Sequence, residues 1–473
     1  MSVSVLAMEL WVVGLALAVL VADLFLPATR KHHLGRLTLT GLAGLFLLWL
    51  TQRHVAAQAF GGMVVADSFS YYFRGLFVGT AILVVLMTQE TMQRTARGQG
   101  EFYLLLLSAL LGMLLLAATN DLLLLFVSLE LLTFSMYVMT AYLRTDPRSI
   151  EAGLKYLILG SVSSGFLVYG ISFLYGVTGS TRFDALRALA MTQPMETGAV
   201  FGFLLVLAGL GFKVAAVPFH LWVPDVYEGA PTPVAAYLSV GSKAAGMSVL
   251  LRFVLGAFGG AGAVWSTLIA ALAAMTMCYG NLAAIPQTNI KRLLGYSSIG
   301  QVGYLLMGVA ASSTLGAAAI LYYLLAYLFT NLCVFLVVTI VGRQAGSDRL
   351  EDYAGLARRS PLLGCALFLA LLSLAGVPPL GGFVGKFLLL LATVKSGLFW
   401  LAVVGGINVV ISLYYYLLVV KRAFMHPAAS VDPVTISIPM RLALYACMAG
   451  ILALGLVQQP VLHQALIAIH PLF

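Results

Sequence analysis

The sequence predicts an all-α polytopic membrane protein with about fourteen transmembrane helices, and three observations favour this fold class. The chain has 473 residues, of which 61% are hydrophobic, and its mean hydropathy is +1.01. Only 9% of its residues are charged, whereas a soluble domain carries about a quarter. Apolar runs of roughly 20 residues, the length that a spanning helix needs, recur along the whole chain. The bilayer is therefore the expected solvent.

Fourteen apolar runs, separated by charged residues or by proline and glycine, are the candidate spans. They centre near residues 17, 43, 80, 109, 132, 166, 209, 243, 272, 304, 328, 378, 408 and 448. Lys and Arg accumulate in cytoplasmic loops, so the loops test this count. With the N-terminus outside, the inside loops hold 17 basic residues, Arg94 and Arg97 among them, and the outside loops hold six. This asymmetry predicts an even number of helices with both termini outside.

The seventh and twelfth predicted helices contain prolines that interrupt a regular helix. Pro218 and Pro224 lie in the seventh, and Pro378 and Pro379 lie in the twelfth; proline has no N–H and clashes with the preceding turn. The breaks are 160 residues apart, which leaves room for five helices, and an odd number of spans reverses the chain direction. The pattern predicts two inverted five-helix repeats with discontinuous helices around a functional centre. The alternative is the ordinary tolerance of proline in membrane helices.

The predicted organisation is a single membrane domain, residues 1–473, in four parts. Residues 1–95 form helices 1–3, and residues 100–258 form a first repeat of helices 4–8. Residues 262–425 form a second repeat of helices 9–13, and residues 438–473 form helix 14 and a tail.

Four ionisable residues lie within predicted spans: Glu130, Lys213, Lys243 and Lys386. A charge at the bilayer centre costs about 2.5–3.5 kcal/mol on insertion scales, so such residues face the protein interior and commonly mark an ion or proton path. One carboxylate cannot neutralise three lysines. For a single lysine, above all Lys386 in the broken helix, the alternatives are a structural ion pair or a side chain that reaches the interface. As a set, the four residues predict proton transfer.

Two further residues are candidates for proton transfer on weaker grounds. His220 follows Lys213 by seven residues, so a regular helix would place both on one face. It could relay a proton or bind carbonyls that Pro218 frees. Glu151 and Lys155 are one turn apart and form either a surface pair or a site where Glu151 takes up protons. Other charges near span ends are expected at the interfaces: Glu9, Asp23, Lys291 and Arg292.

Several classes of function are excluded by what the sequence lacks. The four cysteines are isolated in apolar runs without CxxC spacing, which argues against a disulfide framework, a zinc site or an iron–sulfur cluster. The sequence has no dinucleotide fingerprint after a strand, no P-loop and no haem attachment motif. It therefore predicts no metal and no redox cofactor in this chain. The net charge of +9 comes mainly from the basic inside loops and does not indicate nucleic-acid binding.

Five segments resemble the antiporter-like membrane subunits of bacterial respiratory complex I. They are LLFVSLELLTFSMYVMTAYLR, EAGLKYLILGSVSSGFLVYGISFLYGVTG, GFKVAAVPFHLWVPDVYEGAPTPV, NIKRLLGYSSIGQVGY and GVPPLGGFVGKF. The resemblance covers about residues 60–425, and its broken-helix motif is specific. Within this family, the chain is too short for the long lateral helix of subunit L, and Lys386 stands where subunit M typically has glutamate.

The resemblance implies a role for each site residue. Glu130 and Lys213 would form the glutamate–lysine pair of the family, Lys243 the central relay and Lys386 the terminal group near the periplasmic exit. Glu151 would be a second acid at a subunit boundary. The implied activity is proton translocation by a non-redox subunit, driven by quinone reduction in neighbouring subunits. FMN, iron–sulfur clusters and quinone would lie elsewhere in the complex, with subunits K and M as neighbours in the bacterial inner membrane.

Two alternatives to this function stay open. The chain could belong to a cation/proton antiporter, which resembles the same ancestor; sodium-dependent exchange by a complex without NADH oxidation would favour that reading. It could also be an inert spacer that connects pumping modules. Retained pumping after substitution of both Glu130 and Lys213 would favour the spacer.

Overall fold

The computed structural model describes residues 3–53, 56–91, 98–191, 195–427 and 434–473. Arg94, Arg97 and the predicted boundary at residue 95 lie outside these ranges. Within them, thirteen helices are long and apolar enough to cross a bilayer. One more crossing is made by two shorter helices in series, Pro361–Ala375 and Gly381–Lys395. The prediction of about fourteen spans is confirmed.

The first three spans precede the repeats and are joined by short connections. They are α1 (Ala7–Phe25), α2 (His33–Thr51) and α3 (Ser68–Thr91). A small antiparallel hairpin, β1 (Ala57–Ala59) and β2 (Val64–Ala66), lies between α2 and α3. It is a minor departure from the all-helical expectation.

The first repeat contains five spans, of which the fourth is discontinuous. Its helices are α4 (Gln99–Ala118), α5 (Leu122–Thr140), α6 (Pro147–Thr178), α7 (Phe183–Ala190), α8 (Thr197–Val214), α9 (Trp222–Gly229), α10 (Thr232–Tyr237) and α11 (Lys243–Leu251). The carboxylate of Asp121 accepts hydrogen bonds from the first turn of α5, and Asp146 with Pro147 starts α6 in the same way. These are the residue types that favour a helix start.

The second repeat follows the same plan. Its helices are α12 (Gly262–Ala284), α13 (Ile290–Ala310), α14 (Thr314–Ala345), α15 (Leu356–Arg359), α16 (Pro361–Ala375), α17 (Gly381–Lys395) and α18 (Phe399–Met425). The long helices α6 and α14 both have 32 residues and end at a glycine with positive φ, Gly179 and Gly346. Asn289 caps α13 as Asp121 caps α5, and each forms a backbone bridge to an arginine.

Both predicted breaks are present and lie at matching points of the repeats. Helix α8 ends at Val214, where Ala215 has a φ of 69°, and the chain becomes helical again at Trp222. Helix α16 ends at Ala375, where Gly376 has a φ of 89°. The Val217–Pro218 and Pro378–Pro379 peptide bonds are both cis. Since the breaks are five crossings apart, the two repeats run in opposite directions, as predicted.

Two helices follow the second repeat: α19 (Ile438–Leu456), which is the last span, and α20 (Gln458–Ile469). The sequence predicted α20 only as part of a tail. The hydroxyl of Ser68 at the start of α3 donates to the carbonyl of Ile467 at 3.1 Å. The C-terminal helix therefore packs beside the connection between α2 and α3.

The centre of the molecule is formed by the spans that carry or contact the lysines. The span Thr232–Ala257 is entirely buried, and Ile290–Ala310 and Thr314–Ala345 are almost so. In contrast, α1, α2, α6 and α19 turn most of their surface outward. The span Thr232–Ala257 also contains two π-helical turns, Leu238–Ser242 and Arg252–Ala257, a feature that is frequent at functional sites.

Two charges that were expected at the interfaces are buried by protein contacts. Glu9 is 4% exposed and forms an ion pair with Arg74 of α3. Lys291 is 5% exposed; its Nζ lies 3.2 Å from Asp348 and donates to the carbonyl of Ala230 at 2.9 Å. Neither residue stands free at a helix end.

Candidate proton-transfer site

Glu130 lies in the middle of α5, on the side that faces α6. Eight residues of helix separate it from the Asp121 cap. Its carboxylate is half-buried and accepts a hydrogen bond from the Ser164 hydroxyl at 2.5 Å. A carboxylate at this depth needs such a donor, because burial without one costs several kcal/mol.

Lys213 lies in the last turn of α8, immediately before the break, and is 1% exposed. Its Nζ donates to the Thr133 hydroxyl at 2.8 Å. Thr133 follows Glu130 on α5 by three residues, so both side chains share one face of that helix. No carboxylate of the described residues lies within 4 Å of Lys213. The structure thus places Lys213 beside Glu130 without a direct ion pair.

A small cavity connects the surroundings of the two groups. Its volume is about 10 Å³, close to the minimum that holds one water molecule. Its lining includes Thr133, Tyr137, Ser163, Ser164, Gly209 and Lys213. Because the partner of Glu130 and the partner of Lys213 both line it, one water could bridge the carboxylate side to the ammonium side.

Lys243 begins α11 directly after the first π-helical turn and is 3% exposed. Its Nζ donates to the Ser298 hydroxyl at 2.6 Å and lies 5.6 Å from the centre of the Tyr227 ring. One turn further along, a Cβ added at Gly246 would lie 3.1 Å from Cγ of Lys213. The lysine-bearing helices α8 and α11 therefore approach each other closely at this glycine.

Lys386 lies in α17 and points back at the end of α16. It is 2% exposed, and its Nζ donates to the carbonyls of Leu374 at 2.6 Å and Ala375 at 3.4 Å. These carbonyls lack intrahelical partners because α16 stops at Gly376, and the C-terminus of a helix favours a positive charge. The nitrogen also lies 4.6 Å from the centre of the Tyr304 ring. The second break thus supplies the binding site of this lysine.

Gln301 of α13 connects several polar groups near Lys386. Its amide nitrogen donates to the carbonyl of Leu374 at 3.4 Å and to the Tyr416 hydroxyl at 3.2 Å. Its amide oxygen accepts a hydrogen bond from the Tyr323 hydroxyl. Since Leu374 is also the acceptor of Lys386, the glutamine and the lysine share one carbonyl.

This network ends one residue along α13 from the serine that binds Lys243. The Tyr416 hydroxyl is hydrogen-bonded to Ser297, and Ser297 is adjacent in sequence to Ser298, the partner of Lys243. Polar groups therefore lie between Lys243 and Lys386 through the centre of the second repeat. We call this set of groups the proton axis: Lys243, Ser298, Ser297, Tyr416, Gln301, Tyr323 and Lys386. Beside this axis, the buried hydroxyls that lack a hydrogen-bond partner among the described residues include those of Ser128, Tyr137 and Tyr327.

His220 occupies a different position from the one that its spacing predicted. The expectation that it shares a face with Lys213 requires a regular helix, but α8 ends at Val214. The His220 ring instead packs 4.3 Å from the Tyr279 ring of α12, and it does not line the cavity beside Lys213. Its proposed relay role therefore has no support from proximity to that lysine.

Glu151 is exposed and lies at one end of a chain of ion pairs. Lys155 is 2.7 Å from Glu151 and 2.8 Å from Asp225 of α9. Asp225 is in turn 2.7 Å from Arg292 of α13, which is 3.0 Å from Glu228. The expected surface pair is present, and it extends from α6 across α9 to the second repeat.

Sequence reasoning missed the residues that bind the lysines. Thr133 had a usable signal, because it lies three residues after Glu130 in an otherwise apolar helix. Ser298 and Gln301 are also three residues apart, in a span with an unusual number of polar side chains. Asp225 and Glu228 have the same spacing directly after the first break. Within the described residues, no group of three or more His, Cys, Asp or Glu side chains is arranged to hold a metal.

Comparison with known proteins places this arrangement in a family. The family described as "NADH:quinone oxidoreductase/Mrp antiporter, TM" matches residues 119–412, a range that contains Glu130, Lys213, Lys243 and Lys386. NADH-quinone oxidoreductase subunit N of Moorella thermoacetica is 40% identical over 98% of this chain and 97% of its own length. The protein of the same name from Heliobacterium modesticaldum is 41% identical over the full length of both chains.

Solved structures agree with these matches. A chain of respiratory complex I from Thermus thermophilus superposes with a TM-score of 0.83 at 35% identity, over 96% of this chain and 98% of that one. A chain of the Mrp complex from Dietzia sp. has the same fold, with a TM-score of 0.85 at 23% identity over 99% of this chain and 97% of that one. The chain therefore belongs to the family of NADH:quinone oxidoreductase and Mrp antiporter transmembrane subunits.

Proposed function

We propose that the chain is a non-redox, proton-translocating membrane subunit of an NADH:quinone oxidoreductase. The observation that supports this function is the way in which three of the buried lysines are held. Lys213, Lys243 and Lys386 bind a threonine hydroxyl, a serine hydroxyl and a main-chain carbonyl. None has a carboxylate of the described residues within 4 Å. A structural lysine at membrane depth is ordinarily paired, whereas these three can exchange protons without breaking an ion pair.

In the first repeat, the charge of Glu130 controls proton occupancy at Lys213. Two unit charges roughly 6 Å apart, at an effective dielectric constant near 20, attract by about 3 kcal/mol. For comparison, moving one charge against 100 mV requires about 2.3 kcal/mol. Protonation of Glu130 removes this attraction, and movement of its carboxylate away from Lys213 weakens it. Lys213 then passes its proton toward Lys243.

In the second repeat, the proton continues from Lys243 to Lys386. Hydroxyl groups both donate and accept hydrogen bonds, so Ser298, Ser297 and Tyr416 can transmit a proton with bridging water. Gln301 positions the Tyr416 hydroxyl near the carbonyl that binds Lys386. Lys386 is the terminal group, from which the proton leaves toward the periplasm.

The assembly and its surroundings belong to the same proposal. The chain lies in a bacterial inner membrane with both termini periplasmic, and subunits K and M are its neighbours. FMN, iron–sulfur clusters and quinone are held by other subunits, and quinone reduction there drives the movement that reaches Glu130. Exposed Glu151, with its ion-pair chain through Lys155 and Asp225, is the group proposed to meet a neighbouring subunit.

The test is a double substitution, Glu130→Gln with Lys213→Met, in the assembled enzyme reconstituted into proteoliposomes. We expect fewer protons translocated per NADH oxidised, with assembly confirmed on a native gel. Glu101→Gln with Lys395→Met is a control outside the axis, because Glu101 is a largely exposed surface carboxylate and Lys395 lies exposed in the last turn of α17. Unchanged pumping in the first pair would favour the inert spacer.

The antiporter alternative is supported by the shared fold of the Mrp complex chain. Purification of the native complex separates the two functions, because quinone-reductase subunits accompany this chain only under the proposal. Sodium-dependent proton exchange by a purified complex that does not oxidise NADH would favour the antiporter.

A further inference from the structure

A second feature lies away from the lysines: a crevice of about 790 Å³ among α2, α3, α14, α19 and α20. Its volume is within the range of cavities that hold a small ligand. The lining side chains are mostly apolar and include Phe46, Leu76, Ile82, Leu83, Leu325, Leu328, Phe329 and Ala446. The crevice opens at the surface of the helix bundle, where α2 and α19 turn most of their residues outward.

The two ends of the crevice differ in polarity. Arg53, Ser68 and Gln464 lie at the end beside the connection between α2 and α3, and Leu83 and Ala446 lie deeper. Trp49 and Tyr71 line the polar end with their rings stacked 4.9 Å apart. Paired tryptophan and tyrosine are typical of the depth at which headgroups meet acyl chains. The crevice thus has the polarity of one lipid, with a headgroup end and a chain end.

Arg53 has no carboxylate of the described residues within 4 Å. Two other arginines on this side of the molecule are buried and paired: Arg74 with Glu9, and Arg252 with Asp67 at 2.8 Å. Arg53 is instead exposed at the rim of the crevice. Its guanidinium is free to bind a phosphate with two parallel hydrogen bonds.

The floor of the crevice is kept open by Gly79 of α3. A Cβ added there would meet no atom within 4 Å, so a larger side chain at this position would extend into the crevice without displacing its walls. Two turns earlier on α3, the Tyr72 hydroxyl donates to the Leu321 carbonyl of α14 at 3.0 Å. The crevice is therefore bounded by helices that are fixed to one another.

We propose that this crevice binds one anionic phospholipid, with its phosphate on Arg53 and an acyl chain along α3 and α14 past Gly79. An acyl chain fits the apolar part of the crevice. Without it, the side chains that line this space would lack packing contacts. The unpaired arginine selects a negatively charged headgroup, which a quinone lacks. The bound lipid joins the first three spans to α14, whose opposite side carries Tyr323 of the proton axis.

The test uses the assembled complex in nanodiscs that contain phosphatidylglycerol and phosphatidylcholine, one of which carries a photoactivatable diazirine in its acyl chain. Cross-linked peptides are then mapped by mass spectrometry. We expect labelled phosphatidylglycerol to modify peptides of α3 and α14 at the crevice, and labelled phosphatidylcholine to modify them much less. Arg53→Gln should lower the phosphatidylglycerol label about tenfold, the change that corresponds to one charge-assisted hydrogen bond.

Gly79→Trp should lower the label similarly by filling the crevice. The matched controls are Arg30→Gln, which removes another exposed arginine, and Gly14→Trp, at a position that is also free of neighbours within 4 Å. Equal labelling by the two lipids, or labelling that Arg53→Gln and Gly79→Trp leave unchanged, would overturn the proposal. Displacement of the label by decylubiquinone, or cross-linking of a photoreactive residue at Ile82 to another polypeptide, would also overturn it.

Discussion

Removal of the Ser298 hydroxyl is the most informative single change in the proton axis. The Ser298→Ala substitution deletes the oxygen that lies 2.6 Å from Nζ of Lys243 and leaves that nitrogen, on a side chain that is 3% exposed, without its hydrogen-bond acceptor. A hydrogen bond to a charged group contributes about 1.5–3 kcal/mol, which corresponds to roughly 10- to 100-fold in an equilibrium constant. We expect NADH-driven proton translocation to slow by a factor of at least about ten.

The assay follows NADH oxidation and acidification of the lumen in the same proteoliposomes. Ser298→Thr keeps a hydroxyl on the same carbon and should restore most of the rate. Ser248→Ala is the matched control, because Ser248 is also fully buried but donates to the Ala245 carbonyl of its own helix. Wild-type translocation by Ser298→Ala in an intact complex would refute the reasoning, as would equal losses in the alanine and threonine variants.

Three further changes test other parts of the structure. Tyr416→Phe keeps the ring that packs on Tyr415 but removes the hydrogen bonds to Ser297 and Gln301. Because each neutral hydrogen bond contributes about 0.5–1.5 kcal/mol, proton translocation should fall severalfold. The control Tyr445→Phe, at an exposed tyrosine, should not change the rate. Gly246→Ala places a Cβ 3.0 Å from Val214 and 3.1 Å from Lys213. Proton translocation should therefore fall more than in Gly256→Ala, where the nearest atom is 3.7 Å from the added Cβ. Equal rates in the two variants would show that the packing around Lys213 does not limit the translocation rate. Asp67→Asn leaves the buried charge of Arg252 unpaired, which costs about 3–5 kcal/mol and should lower the thermal denaturation midpoint, whereas Asp184→Asn at an exposed pair should cost at most about 1 kcal/mol.

The sequence was sufficient to predict the spans and their breaks, because both depend on local properties. The length of an apolar run and the positions of Pro218 and Pro378 act within a few residues along the chain. The same holds for the depth of Glu130 and Lys243, since each lies far from either end of its span. Lys213 instead lies one residue before the end of α8, beside the break that Pro218 predicts. The distance of 160 residues between the two breaks also predicts the second repeat.

The partners of the lysines could not be predicted, because they depend on how neighbouring helices are rotated and packed. Ser298 reaches Lys243 only because α13 presents that face to the buried span Thr232–Ala257. The π-helical turn before Lys243 has no sequence signal, and a shift of one residue there changes the direction of every later side chain. The position of His220 was predicted wrongly for a related reason. Its seven-residue spacing from Lys213 places both on one face only in a continuous helix, and α8 ends at Val214.

The charges at the edges illustrate a further limit. Hydropathy placed Glu9 and Lys291 near helix ends but could not reveal that Arg74 and Asp348 cover them. Ion pairs between distant segments are properties of the assembled fold. The same is true of Asp225 in α9, which forms ion pairs with Lys155 of α6 and Arg292 of α13.

The most direct test of the central claim is the number of protons translocated per NADH by the assembled enzyme with Lys243→Ala. In the proposed pathway, protons pass from the first repeat to the second through Lys243, so its loss should interrupt transfer between Lys213 and Lys386. We expect a lower proton-to-NADH ratio with assembly intact. An unchanged ratio in the intact complex would contradict it.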